Sequence, residues 1–221
     1  MRTQHSGLIF DLDGLLVDSE ALQYKAYSQV LARFGVQVSR SEYAAHWIAA
    51  GHGPEYAVER YQLPVAANEL RALKDPIYHA IMRAEVALMP GAVQALERVH
   101  EHYPVAVATN SNRADTGYVL DHLGLGRFFT AVVTRDLYAL AKPNPDAFLT
   151  AASRLGVAPR ACVVVEDAPK GILAAHRAGA VPIAVPNDFT RGSDFALAAA
   201  VLPSLDQLSV DLIEDVLSRR E

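Results

Sequence analysis

Leu8-Ile9-Phe10-Asp11-Leu12-Asp13-Gly14 decides how this chain is read: a short apolar run ends abruptly on two carboxylates and a glycine. A run this brief, apolar on both faces, reads as a strand buried inside a parallel sheet. The same form recurs. Val105-Ala106-Val107-Ala108 ends at Thr109, Ala131-Val132-Val133 at Thr134, Cys162-Val163-Val164-Val165 at Glu166-Asp167, and Ile183-Ala184-Val185 at Pro186. Helix patterns lie between these runs. Val93, Leu96 and Val99 make one apolar face, and Val119, Leu120 and Leu123 make another, closed by Gly124. Pro145 suits a first helical position ahead of Phe148, Ala152 and Leu155, with Gly156 as the stop, and Ile172 and Ala175 lead to Gly179. Strands alternating with helices predict an α/β fold built on a doubly wound parallel sheet.

The alternation stops after the first strand. From about Asp18 to Met89 the residues spell helices and no strand. Leu22, Ala26, Val30 and Phe34 recur near helical spacing, and Gly35 ends that segment. Ser39 and Glu42 have the spacing of a capping box, ahead of a helix that runs to Gly51. Pro54 suits the start of the next helix, and Pro76 is expected to split the last one. A helical block this long exceeds a crossover and reads as an insertion. The expected division is residues 1–15 and 88–221 as an α/β core and residues 16–87 as a helical cap, hinged near Leu15–Val17 and Val86–Pro90.

Composition narrows the function classes. Just over half of the 221 residues are hydrophobic, so a substantial core can form, and the formal net charge is −5. A mildly acidic chain has no general attraction to nucleic acid or to an anionic membrane. Any phosphate it binds must be held by local groups. Cys162 is the only cysteine, which rules out an intrachain disulfide, and its place inside an apolar strand reads as inert core. No apolar run approaches the roughly 20 residues of a membrane span. The first residues, Met-Arg-Thr-Gln-His-Ser-Gly, lack the apolar stretch of a signal peptide, and the expected compartment is the cytoplasm.

In an open parallel sheet, ligands bind beyond the carboxyl ends of the strands, near a switch in strand order. Here those ends carry Asp11 and Asp13, Thr109, and Glu166-Asp167, with Lys142 in a proline-rich loop. Carboxylates that converge repel one another and invite a hard divalent cation. Magnesium takes one or two carboxylates and bridges to substrate phosphate. A lysine and a hydroxyl can bind the remaining phosphoryl oxygens, and a carboxylate can serve as nucleophile through an aspartyl-phosphate. Each of these residues alone has a plainer reading: helix cap, strand-end hydroxyl or solvated loop lysine. The ordered set is what carries the chemistry.

Asp11-Leu12-Asp13-Gly14 after an apolar strand resembles the first motif of the haloacid dehalogenase superfamily. Thr109 matches its second motif, Lys142 in Lys-Pro-Asn-Pro-Asp its third, and Glu166-Asp167 before Ala-Pro-Lys-Gly-Ile its fourth. Asp18-Ser19-Glu20 and Pro90-Gly91 also sit where relatives with a helical cap place similar residues, so the resemblance covers nearly the whole chain. It implies a magnesium-dependent phosphatase acting on a small phosphorylated metabolite, of sugar phosphate or phosphoglycolate type. Asp11 would attack phosphorus and bind the metal. Asp13 would protonate the leaving oxygen, activate the hydrolytic water and offer the metal its main-chain carbonyl. Thr109, Asn110 and Lys142 would hold the phosphoryl oxygens, and Asp167 with Glu166 would complete the metal site. The helical insert would be a mobile cap whose closure expels water.

Discrimination between substrates must come from groups that reach past the phosphate. The turn Gly51-His52-Gly53-Pro54 and the loop Ser111-Asn112-Arg113 are candidates, with the helix of Tyr24 and the segment around Lys74 next. A mutase resembling β-phosphoglucomutase is the rival reading. Such mutases carry a histidine soon after the Asp-x-Asp segment and an arginine after the cap glycine, and the matching positions here are Gln23 and Pro54. A signalling receiver domain would carry its phosphorylated aspartate on a later strand and no large insert. Dehalogenases and phosphonoacetaldehyde hydrolases lack an acid at the position of Asp13.

Overall fold

The structure, a computed structural model, describes residues 6–219. Six parallel strands form one sheet in the order β3-β2-β1-β4-β5-β6. They are β1 Gly7–Phe10, β2 Val105–Ala108, β3 Ala131–Val133, β4 Cys162–Glu166, β5 Val181–Ala184 and β6 Ala200–Val201. The sheet grows from β1 in both directions, so its order switches at β1. Phe10 pairs with Val107 on one side and Val165 on the other, which brings the ends of these strands level.

Side chains alternate across the sheet as its pleat requires. Leu8, Phe10, Val105, Val107, Val163 and Val165 face helices α5 (Ala92–Val99), α6 (Arg113–His122) and α9 (Val210–Ser218). Ile9, Ala106, Ala108, Cys162 and Val164 face α7 (Asp146–Leu155) and α8 (Pro169–Arg177). Both layers are buried, as a doubly wound sheet demands. Burial pushes the Cys162 thiol up to about 12, which leaves it inert at neutral pH. β5 begins earlier than the apolar run suggests, at Val181, and β6 is a short edge strand without a sequence signal of its own.

Between β1 and β2 the chain is helical from 19 to 85: α1 Ser19–Ala32, α2 Arg40–Tyr43 continued by π-helical Ala44–Ala49, α3 Gly53–Tyr61 and α4 Ala67–Glu85. Ser39 Oγ accepts the Glu42 N–H at 3.1 Å, starting α2 where the capping pattern placed it. Pro76 does not split α4; the helix runs through it unbroken. The reason is placement. Pro76 and Ala72, whose carbonyl loses its donor, both face solvent, while Leu70, Lys74, Tyr78, Ile81 and Met82 are buried on the opposite face. The freed carbonyl lies on the solvent side, and the packing of the apolar face along α1 outweighs the lost bond. The two chain crossings into this block lie side by side: Val17 bridges Leu88, and the Met89 N–H donates to the Leu16 carbonyl at 2.9 Å.

Candidate active site

The Asp11 N–H donates to the Val165 carbonyl at 3.0 Å, so sheet pairing continues one residue past β1 and fixes where the Asp11 side chain emerges. Lys142 meets it from the loop before α7. The Lys142 ammonium donates to Asp11 Oδ1 at 2.5 Å, to Glu166 Oε1 at 2.9 Å and to the Ala108 carbonyl at 2.9 Å. All three hydrogens of a buried ammonium are thereby used. Burial alone would strip its proton, but Asp11 and Glu166 attract the charge more strongly and hold its pKa above the ordinary lysine value.

The carboxylates outnumber that cation. Asp11, Glu166 and Asp167 are buried and offer oxygens that lie within 4.8 Å of one another. Burial drives the Asp11 carboxyl up to about 8; Lys142 opposes the rise, and Glu166 and Asp13 add to it. Asp167 is raised well above the usual carboxylate range, again by burial first and then by Glu166 and Asp11. A buried cluster of carboxylates that outnumbers its one cation fits a hard divalent ion, which would relieve the repulsion and leave the acids ionised. Asp11, Asp167 and Glu166 would hold it.

Asp13 has a different setting. Its Oδ1 accepts from Ser19 Oγ at 2.7 Å, and its Oδ2 accepts from Thr109 Oγ1 at 2.6 Å and Ser111 Oγ at 2.7 Å. Three hydroxyls thus converge on one carboxylate, and each can rotate its hydrogen toward or away from it. The Thr109 hydroxyl also accepts the Ser111 N–H at 2.9 Å. Asn110 Oδ1 accepts from Tyr138 Oη at 2.7 Å and from the Lys142 N–H at 3.2 Å, bracing the lysine loop.

These groups floor a cavity of about 270 Å³ between sheet and helical block. Asp11, Asp13, Thr109, Asn110, Ser111, Lys142, Glu166 and Asp167 all line it. Gln23, Tyr27, Tyr43, Trp47, Arg71 and Lys74 line the facing side, the π-helical turn bringing in Trp47 and Ile48. Lys74 is buried, donates to Gln23 Oε1 at 3.0 Å and lies 4.8 Å from the Tyr78 ring centre. Glu20 also borders the cavity. Burial pushes its carboxyl up to about 7, against the pull of Lys170.

Four expected substrate contacts lie outside this cavity. Gly51 and His52 are exposed, on the turn ahead of α3, with the His52 ring 6.4 Å from that of His46. Asn112 is spent as the N-cap of α6, accepting the Asp115 N–H at 2.9 Å, and Arg113 opens that helix toward solvent. Asn187 and Tyr138 had no place in the sequence reading, and Lys170 stood there only as part of the fourth motif, without a role of its own. Asn187 follows β5 and its side chain donates to Asp167 Oδ2 at 2.8 Å; it obeys the same strand-end logic that picked out Asp11 and Thr109. Tyr138, in an irregular loop, had no such signal.

Two carboxylates, a buried lysine and an acid cluster that fits a divalent cation meet at the sheet's switch point, a set suited to phosphoryl transfer on an α/β fold. The profile of the haloacid dehalogenase-like hydrolases matches residues 8–185. The chain belongs to that family and is a phosphoric monoester hydrolase within it. It is 36% identical over 180 residues to a fructose-1-phosphate phosphatase of Escherichia coli (strain K12), YqaB, covering 81% of this chain and 95% of that protein. It is 28% identical over 221 residues to the protein CbbY of Rhodobacter capsulatus, covering 95% and 97%. Among solved structures, CbbY from Rhodobacter sphaeroides in complex with phosphate superposes with a TM-score of 0.80 at 25% identity, covering 95% and 99%. Among the described residues no helix is long and apolar enough to cross a membrane.

Proposed function

We propose that the chain hydrolyses a small sugar phosphate with magnesium, Asp11 being the nucleophile and residues 16–87 acting as a cap over the core. The observation that carries this reading is the Lys142 ammonium bound at once to Asp11, Glu166 and the Ala108 carbonyl, beside an open cavity. Asp11 Oδ1 is held by Lys142, and Oδ2 accepts no hydrogen bond among the described residues, so it is available to attack. Its attack on phosphorus forms an aspartyl-phosphate as the bond to the leaving oxygen breaks. Asp13 gives that oxygen its proton, then takes one from the water that hydrolyses the intermediate. Thr109 and Asn110 hold the phosphoryl oxygens, and Lys142 offsets their charge. Bound magnesium would supply charge neutralisation between phosphate and carboxylates.

The far side of the cavity suits a sugar: Glu20, Gln23 and Lys74 offer hydrogen-bonding partners for hydroxyls. The similarity to a fructose-1-phosphate phosphatase points the same way. The test is released phosphate across a panel of phosphorylated metabolites with magnesium, compared as kcat/KM. Hexose and pentose phosphates should lead, and excess EDTA should abolish turnover; a preference for phosphoglycolate, or full activity in EDTA, would overturn the reading.

A further inference from the structure

The loop that follows β5 touches three parts of the molecule. The Asn187 side-chain amide donates to Asp167 Oδ2 at 2.8 Å and to the Gly14 carbonyl at 2.9 Å. Its side-chain oxygen accepts the Phe189 N–H at 2.8 Å, and its backbone N–H donates to the buried Thr190 Oγ1 at 2.9 Å. Both amide hydrogens are therefore committed, one to an acidic residue of the site and one to the turn that follows the nucleophile's strand. That turn is tight. Gly14 has φ +79°, and a Cβ there would fall 2.7 Å from both Asn187 Nδ2 and Asp167 Oδ2.

Phe189 leaves the core altogether. It belongs to the aromatic cluster of the helical block, with its ring 5.7 Å from Tyr43, 6.1 Å from Tyr24 and capped by the Arg40 guanidinium at 4.2 Å. The other side of the loop borders a cavity of about 320 Å³ that reaches Leu15 and Met89 at the two crossings. These few contacts, and not close packing on all sides, set the loop's position.

Asp167 needs such a restraint. Glu166 and Asp11 offer oxygens within 4.8 Å of its own and repel it, and the opposing pull of Lys170 is weaker. Among the described residues, the one hydrogen bond to its carboxylate comes from Asn187. We infer that Asn187 is a positioning residue that aims the Asp167 carboxylate at the cation, and that Phe189 makes this aim depend on how the cap is seated. The inference rests on the proposed metal site. Linkage then requires reciprocity: if cap seating favours the metal-ready Asp167, metal binding favours the seated cap equally. Trp47 is the only tryptophan and stacks on Tyr43 at 5.4 Å, one ring removed from Phe189, so its emission reports on that cluster.

The experiment is a Mn²⁺ titration of the full chain without substrate, read by the electron paramagnetic resonance of free Mn²⁺ and by Trp47 emission. Circular dichroism checks that each variant is folded. Wild type should bind Mn²⁺ and shift its Trp47 emission on saturation. Asn187→Ala should bind about 10–100-fold more weakly, the usual cost of losing a group that orients a metal ligand. Asn187→Ser, which keeps an acceptor for the Phe189 N–H but cannot reach Asp167, should behave alike and serves if the alanine variant misfolds. Phe189→Leu should still bind Mn²⁺ but lose the emission shift. Unchanged affinity in a folded Asn187 variant, or a full emission shift in Phe189→Leu, would overturn the inference and leave the metal site standing. Failure of wild type to bind Mn²⁺ would overturn both.

Discussion

Gly171 and Glu166 lie closer than any side chain at position 171 would allow: a Cβ there would fall 1.7 Å from Glu166 Oε1. The first turn of α8 therefore passes directly over a carboxylate that receives Lys142 on one oxygen and the Ala168 N–H on the other. Gly171→Ala should push Glu166 off Lys142. Overpacking of this kind costs about 1–3 kcal/mol, and kcat should fall with the melting temperature. A variant with parental kcat and thermal stability would show that Glu166 has room to yield.

Asp11→Asn should abolish turnover while leaving the protein folded, because an amide is a far poorer nucleophile than a carboxylate. Removing one of three crowded buried acids should also leave the metal-free protein at least as stable as its parent. Phosphate release and a thermal melt check both, and near-native kcat would place the nucleophile elsewhere.

Asp13→Asn should hurt substrates with poor leaving groups most, by ~10²–10⁴-fold, the usual contribution of a proton donor. Aryl phosphates need less protonation and should suffer less in the first step. The check is single-turnover kinetics across a leaving-group series; a uniform loss would remove Asp13 from the acid role.

Glu20 carries a pH dependence of definite sign. Its folded pKa of about 7 exceeds the ordinary 4.5, so between those values the folded state holds more of the proton than the unfolded state. Stability from this group is present below pH 4.5 and is lost as pH rises towards 7, with a slope of at most about 1.4 kcal/mol per pH unit. Glu20→Gln should remove that loss. Melting temperatures of both proteins across this window should diverge as pH rises, the variant being the more stable; parallel curves would contradict the assignment.

Lys74→Met should raise KM for sugar phosphates and scarcely alter hydrolysis of a small aryl phosphate, since Lys74 lines the cavity opposite Asp11. His52→Ala and Arg113→Ala should change neither by more than about twofold, because surface substitutions away from a site are usually within ±0.5 kcal/mol. Measured kcat/KM over the same metabolite panel decides it. A larger effect at His52 than at Lys74 would mean that substrate draws the Gly51–Gly53 turn inward.

What the sequence revealed follows from how local each signal is. Strand ends are local: an apolar run that stops on a polar residue marks Asp11, Thr109 and Glu166. The first-strand switch point then brought them together. Contacts between distant segments left no such mark. Asn187 meets Gly14 across 173 residues, and Lys74 meets Gln23 across 51. Helical periodicity shows which face of α4 is apolar, but not that a buried lysine on that face lines the same cavity as Asp11. Pro76 misled because its effect depends on which side of the helix it occupies. The Gly-rich turn at His52 misled because permissive backbone marks a bend, whether or not a ligand comes near it.

The side-by-side crossings of Leu16 and Met89 mean that the sheet meets its long insertion at one narrow neck. The strands on either side keep their register whatever hangs from that neck. Lengthening such a loop is cheap, since each doubling costs only about 0.6 kcal/mol of closure entropy. The helical block is thus an exchangeable part: a different block grafted between these two residues could redirect the enzyme to other leaving groups, provided it keeps a donor for Asp13 in place of Ser19 and an apolar seat for Phe189. Exchange is tolerated better than deletion, because Phe189 and Ala168 belong to the block's apolar cluster and would be stripped of cover without it.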